Sequence, residues 1–361
     1  MGYRYIGAKT KISEEIVATI SSIVRKGSHV ADLMCGTGAI SAALRENGYT
    51  VTAADIMTAS YHHARVLLLL DFPPPFSKAK KFIDSLFPKD RQTLFPLSEY
   101  EKILACLNSI KPKKGYFWKE FSIEGKPKNT SKLRNYFTPE NAKKIDALRR
   151  CIKQLRNEKQ IDAMEHSLLI HDLIMAANDV ANIAGTYGHY LSKLVPRAKS
   201  PLVLKPTIIK YFGDSQKHKV LKGYTESLAA NITCDLCYLD PPYMKRQYAA
   251  NYHILETLAR EDEPEAIGES GLRPWRDQYS NFCTKTKIHQ SFRAIFSKMD
   301  CPHFLVSYSE DGLLSLEELR KLFSEFGKVS VNTFKNKRFK SNNSNLAQYL
   351  TEYLFHINAI G

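Results

Sequence analysis

"HVADLMCGTGAISAALRENGYTVTAADI", residues 29–56, reads as a strand, a glycine-rich turn, a helix and a second strand. Such a β-α-β unit implies parallel strands joined by a right-handed crossover. Gly36 and Gly38 sit between strand and helix, where glycine lets the backbone turn sharply and approach a ligand closely. The pattern is not G-x-G-x-x-G, because position 41 is Ser41, and no Gly-Lys-Ser/Thr follows, so NAD, FAD and ATP are disfavoured. Asp55 ends the second strand, where a carboxylate can accept from both hydroxyls of a ribose. Asp32 ends the first and is suited to a cationic amine. These features suit S-adenosylmethionine, a nucleoside without phosphates but with an amino-acid tail. A plain packing turn with a solvated acid is the other reading of the same residues.

Outward from this unit, "KISEEIVATISSIVRK" carries Ile12, Ile16, Ile20 and Ile23 at helical spacing, with Gly27 as a stop. "TASYHHARVLLLL" predicts a helix from residue 58, and "DFPPPF" (71–76) breaks the pattern. Residues 77 to about 165 are lysine-rich, aromatic and weakly periodic, and "MEHSLLIHDLIMAANDVANIAG" predicts a helix that runs to Gly185. Strand patterns return in "LVLKPTIIKYF" (202–212), "HKVLKGY", "ITCDLCYLD", "HFLVSYS", "KVSVNTF" and "EYLFHIN". A helix is expected in "YHILETLARE", and Ser315 with Glu318 forms a capping box for another. The first and fourth core strands lie about 200 residues apart. We therefore expect an α/β, Rossmann-like sheet with an inserted, mainly helical subdomain. The expected division is 1–72 and 201–361 for the two catalytic parts and 73–200 for the insertion.

Lysine and arginine number 52 against 37 acids, a net +15, which favours a polyanionic partner. The longest apolar run, "VLLLLDF", is too short to span a bilayer, and "MGYRYIGAKTK" lacks a signal-peptide core. The expectation is a cytoplasmic protein without a membrane. Cys234 and Cys237 form one C-x-x-C with no second pair, so buried structural cysteines are expected rather than zinc. His62, His63, His166 and His171 lack ligand spacing and read as structural; no metal site is expected.

"CDLCYLDPPYMKRQYAANYH" (234–253) ends an apolar strand on Asp240. Open α/β sheets place their sites at such C-terminal strand ends. Pro241 and Pro242 fix two φ angles and remove two donors. A carboxylate and a rigid carbonyl can together accept both hydrogens of an exocyclic amino group, and Tyr243 offers a face for a base to stack on. An aryl amine is a weak nucleophile, because its lone pair is delocalised. Two acceptors on its hydrogens favour the pyramidal geometry that frees it to attack a sulfonium methyl.

Through "RYIGAKTK", "DLMCGTGAIS", Asp55, "LDPPYMKRQYAANYHILETLAR" and "FLVSYSEDG", the sequence resembles the D12 class of amino-methylating, adenine-specific DNA methyltransferases, the Dam-like group in its alpha arrangement. "NYFTPENAKKIDALR" and "NDVANIAGTYGHYL" resemble its restriction-modification members. The resemblance implies that Tyr5 and Lys9 help to hold the cofactor, Lys9 at its methionine carboxylate, that Asp55 is the acid after the second strand, and that Asp240 is the catalytic acid. Two departures stand out: Gly7-Ala8-Lys9 replaces Gly-Gly-Lys, and Tyr224 falls where an acid or amide usually meets the cofactor's adenine.

The resemblance further implies double-stranded DNA as substrate, a flipped-out adenine and, in some systems, a separate cognate endonuclease. Phosphate grip would fall to Lys245, Arg246, Lys335, Lys337, Arg338 and Lys340, and target reading to the insertion. An RNA adenine methylase and an inactive nucleic-acid-binding methylase fold remain as alternatives.

Overall fold

The structure is a computed structural model describing residues 9, 12–87, 96–337 and 349–359, with 336 and 337 as backbone only. In chain order, the first part comprises α1 (Ser13–Ile23), β1 (His29–Asp32), α2 (Ala39–Glu46), β2 (Thr50–Asp55) and α3 (Thr58–Leu69). The helical stretch that follows comprises α4 (Lys80–Leu86), α5 (Glu99–Ser109), α6 (Tyr116–Phe121), α7 (Pro139–Asn157) and α8 (Ala163–Asp179). The chain then returns through β3 (Lys219–Lys222), α9 (Thr225–Leu228), β4 (Leu236–Leu239), α10 (Tyr248–Asn251) and α11 (His253–Arg260). It closes with α12 (Lys285–Phe296), β5 (His303–Ser309), α13 (Leu316–Phe323), β6 (Gly327–Lys337) and β7 (Tyr349–Ala359).

The strands form one seven-stranded sheet in the order β3-β2-β1-β4-β5-β7-β6. β1 to β5 are parallel, and β7 runs antiparallel to both β5 and β6. This is the α/β, Rossmann-like sheet expected from residues 29–56. β4 is buried along its whole length, as a central parallel strand must be, and its residues Leu-Cys-Tyr-Leu are correspondingly apolar. From β1 the chain moves outward to β2, and from β4 it moves the other way to β5. The crevice at that reversal opens between the C-terminal ends of β1 and β4. Their register sets Asp32 beside Tyr238, two residues before Asp240.

The helical stretch does not stand apart from the sheet's own helices. Val66 of α3, Leu168 and Leu173 of α8, and Ile254 and Leu258 of α11 share one apolar core with Leu104, Phe117 and Leu148. Polar side chains cross the same contact. His62 Nδ1 lies 3.0 Å from Ser167 Oγ, and His63 Nδ1 lies 2.7 Å from His171 Nδ1. Arg134, fully buried, pairs with Glu120 at 2.6 Å and donates to the carbonyls of Gly268 (2.9 Å) and Glu269 (3.2 Å). That ties the loop after α6 to the loop after α11.

Three local expectations are corrected. Residues 202–212 form no strand. Leu202 and Leu204 are buried with Val203 exposed between them, so the alternation is real. Yet the edge is satisfied by side chains: Asn108 brackets Leu204 with two bonds of 2.9 Å, and Asn141 accepts from Leu202 N–H at 2.9 Å. α8 stops at Asp179, short of Gly185, because Asn182 holds the following chain in a turn through the carbonyls of Asn135 and Leu191 and the N–H of Val195. α1 ends at Ile23, before Gly27, because Val24 is already extended. Cys234 and Cys237 are buried in one apolar core, with Cys234 Sγ 3.5 Å from Cys301 Sγ. Among the described residues, no helix is long and apolar enough to cross a membrane, and no three His, Cys, Asp or Glu side chains gather as metal ligands.

Candidate active site

The turn after β1 is cross-braced onto β2. Gly36 and Gly38 both have positive φ, 52° and 75°. Cys35 N–H donates to Ala54 O at 3.0 Å, and Gly38 N–H returns to Cys35 O at 2.7 Å. Asp55 completes the brace: its carboxylate accepts Gly36 N–H at 2.9 Å and Met57 N–H at 2.8 Å. Both oxygens keep a lone pair directed elsewhere, so the acid remains able to accept from a diol. Gly38 serves another purpose. A Cβ there would stand 2.8 Å from Leu67 Cδ1, so this glycine lets α2 settle on α3.

Lys9, Asp32, Gly36, Asp55, Asp240 and Pro242 line one cavity at the crevice. Gly38, Pro241 and Tyr243 are not in its wall. The Tyr243 ring lies 5.6 Å from the Lys9 ammonium and 5.9 Å from the Tyr308 ring, and Pro241 is buried. Tyr5, Arg338 and Lys340 lie outside the described residues; Lys337 is described only as backbone, at the end of β6. Lys245 and Arg246 are exposed, two and three residues after Tyr243.

The cavity is strongly acidic. Asp32 is buried, accepts from Ser41 Oγ at 2.6 Å, and is pushed up to about 7 by burial. Burial likewise lifts Asp55 to about 6. Asp240 is lifted to about 6 by burial, with Lys9 acting against that rise. Lys9 is the one basic side chain among the described lining residues. Its ammonium lies 3.3 Å from Asp240 and 3.1 Å from Glu352. Burial alone would lower its pKa, but the two carboxylates hold it above the ordinary lysine value. Carboxylates that are costly to ionise when the cavity is empty are relieved by a cationic ligand, whereas a phosphate would meet repulsion. The donor set therefore fits a nucleoside with a cationic tail.

Several lining residues are not among the expected site residues. Tyr248 and Ala249 of α10, and Gln278, Ser280 and Phe282 from the chain before α12, also line the cavity. Gln278 is anchored by its amide to Ile56 O at 3.0 Å and to Glu256 at 2.8 Å. Glu256 itself caps α3, accepting the N–H groups of Thr58 and Ala59. The departure at Tyr224 acquires a geometry: its hydroxyl donates to Asp277 O at 2.9 Å, while Glu226 accepts from Ser291 Oγ at 2.8 Å, and both residues reach the cavity. Glu352, on β7, was hidden in a strand pattern where an acid reads as solvent-facing, yet it is buried.

Comparison with known proteins adds the context. The sequence profile of the D12 class N6 adenine-specific DNA methyltransferases matches residues 5–336. The Type II methyltransferase M.NlaIII of Neisseria lactamica is 30% identical, with 97% of each chain covered. The Type II methyltransferase M.FokI of Planomicrobium okeanokoites is 31% identical over 98% of this chain but 52% of its own length. The Type II methyltransferase M.CviAII of Paramecium bursaria Chlorella virus 1 is 28% identical, with 98% and 97% covered. The chain thus spans about half the length of M.FokI and nearly all of the other two. It belongs to the D12 class of N6 adenine-specific DNA methyltransferases.

Proposed function

We propose that this protein transfers the methyl group of S-adenosylmethionine to the 6-amino group of an adenine flipped out of duplex DNA, as the modification half of a restriction-modification system. The observation that carries this reading is that Asp240, at the C-terminal end of β4, opens into the same cavity as Asp32 and Asp55. When bound, the cofactor supplies an electrophilic sulfonium methyl. Asp32 would face its ammonium, Asp55 its ribose, and Lys9, with Tyr5, the methionine end. Gly36 would let the backbone come close, and Gly38 would set the helix behind it. Asp240 and the Pro241 carbonyl would accept the two hydrogens of the adenine amino group, Pro242 would stiffen that corner, and Tyr243 would stack on the base. After attack, the methylated nitrogen would shed a proton, which the Asp240 carboxylate could accept.

Lys245, Arg246, Lys337, Arg338 and Lys340 would hold phosphates, and the +15 charge supports a polyanion. Residues 73–200 would read the target, between catalytic parts 1–72 and 201–361. A cognate endonuclease would act as a separate protein, and the work would be done in the cytoplasm at the nucleoid. Expression in a methylation-free bacterial host, followed by methylation-sensitive sequencing, tests this directly. N6-methyladenine within one short recurring DNA sequence is expected. Unmodified DNA together with methylated ribosomal RNA would replace the reading with an RNA methylase.

A further inference from the structure

Lys9 stands between two carboxylates, and only one of them belongs to the DPPY corner. Glu352 reaches it from β7, 343 residues away in sequence, at 3.1 Å. Glu352 is about as buried as Lys9, 3% against 4% exposed, and a buried carboxylate is kept only where something compensates it. On the sheet it pairs in register with Phe334 of β6 and with Ser309 at the end of β5, the strand that itself pairs with β4 leading into the corner. The charged and titratable groups facing this cluster are Lys9, Asp240, Glu310, Asp32 and the Tyr238 and Tyr243 hydroxyls.

We propose that Glu352 is a positioning residue for methyl transfer: it shares the Lys9 ammonium with Asp240 and so keeps the DPPY corner net negative. The inference rests on the function proposed above. As the methyl passes from sulfur to the adenine nitrogen, the S–C bond breaks, the N–C bond forms, and positive charge moves onto that nitrogen until its proton leaves. Were Lys9 paired with Asp240 alone, the corner would be neutral, and the ammonium would compete for the oxygen that the amino group needs. With Glu352 the corner holds one cation and two anions. Fixed negative charge then remains where positive charge develops, which is how preorganised electrostatics lower a barrier.

The test uses the full chain carrying Glu352→Gln, in the parent and in a Lys9→Met background. With labelled S-adenosylmethionine and duplex DNA, single-turnover transfer is expected to slow by about tenfold or more in the parent background, with cofactor and DNA affinities unchanged. In the Lys9→Met background the same change is expected to slow transfer by clearly less, because no ammonium is left to compete for Asp240 and coupled residues are not additive. A second readout needs no catalysis: acetylation of Lys9 in the cofactor-free protein, followed by mass spectrometry, should become several-fold faster in Glu352→Gln. Equal slowing in both backgrounds, or unchanged rate and labelling, would overturn the proposal. Should Glu352→Gln fail to fold, Glu352→Asp carries the same comparison, since it keeps the charge but withdraws it from Lys9. If the parent protein itself transfers no methyl to duplex DNA, the function fails first, and the labelling result still decides whether Glu352 holds Lys9.

Discussion

Asp55 Oδ2 accepts the N–H of Gly36 at 2.9 Å, so the acid ending β2 fixes the turn that follows β1. Its other oxygen accepts Met57 N–H at 2.8 Å. Asp55→Ala would leave two buried donors unpaired, at about 1–3 kcal/mol each. Asp55→Asn keeps one acceptor and should lose about half as much. Thermal unfolding is expected to show that order. Titration with S-adenosylhomocysteine is expected to show weaker binding for both variants. Parent-like stability in the alanine variant would mean that the turn is held by something else.

Asp240 is partly buried beside Lys9, and in the proposed function it accepts a hydrogen bond from the reacting nitrogen. Asp240→Ala is expected to lower methyl transfer by at least about a hundredfold, the usual cost of losing a preorganised group at the reaction centre. DNA binding should persist if the phosphate contacts lie on other residues, as proposed. Filter binding and single-turnover kinetics on one preparation check both halves. Turnover near that of the parent would remove Asp240 from the chemistry.

Lys245 and Arg246 are exposed immediately beyond the corner. If both meet phosphates, the Lys245→Ala/Arg246→Ala double variant should weaken binding to specific and non-specific duplexes alike. The slope of log K against log salt should fall by about 2, roughly 0.9 for each phosphate that is no longer neutralised. A slope equal to the parent's would assign both side chains to free surface.

The sheet and the acids at its strand ends were legible because their signals are local. Strand, glycine turn, helix and acid succeed one another within 28 residues, and the DPPY corner carries its own stiffness. The family resemblance read from those stretches is borne out by the profile match over residues 5–336. What stayed hidden depends on long-range placement. Gln278 lines the cavity and Glu352 pairs with its Lys9, each from a segment whose sequence does not single it out. The segment 202–212 has a strand's alternation, but a strand also needs a neighbour, and Asn108 and Asn141 supply its hydrogen bonds instead. Gly38 looked like part of a ligand cradle, and only the approach of Leu67 reveals its packing role.

Asp172 offers a test of the helical stretch through pH. It lies buried in α8 and accepts from Tyr100 Oη at 2.6 Å and Thr207 Oγ1 at 2.7 Å. Burial raises its carboxyl from 3.8 to about 7, against the pull of those two hydrogen bonds. The folded protein therefore keeps a proton that the unfolded chain gives up above about 3.8. By linkage, the contribution of this group is full below that pH and is lost as pH rises through about 7. Asp172→Asn has no proton to lose. Its stability relative to the parent should climb between about pH 4 and pH 8, by no more than about 1.4 kcal/mol per unit, and then level off. The buried His62, His171 and His253 are lowered by burial and act in the opposite direction, losing stability as pH falls below the histidine range. They are common to both proteins and cancel in the difference. Urea unfolding of the two proteins across that range measures it, and a difference that stays flat would show Asp172 ionised throughout, with the hydrogen bonds outweighing burial.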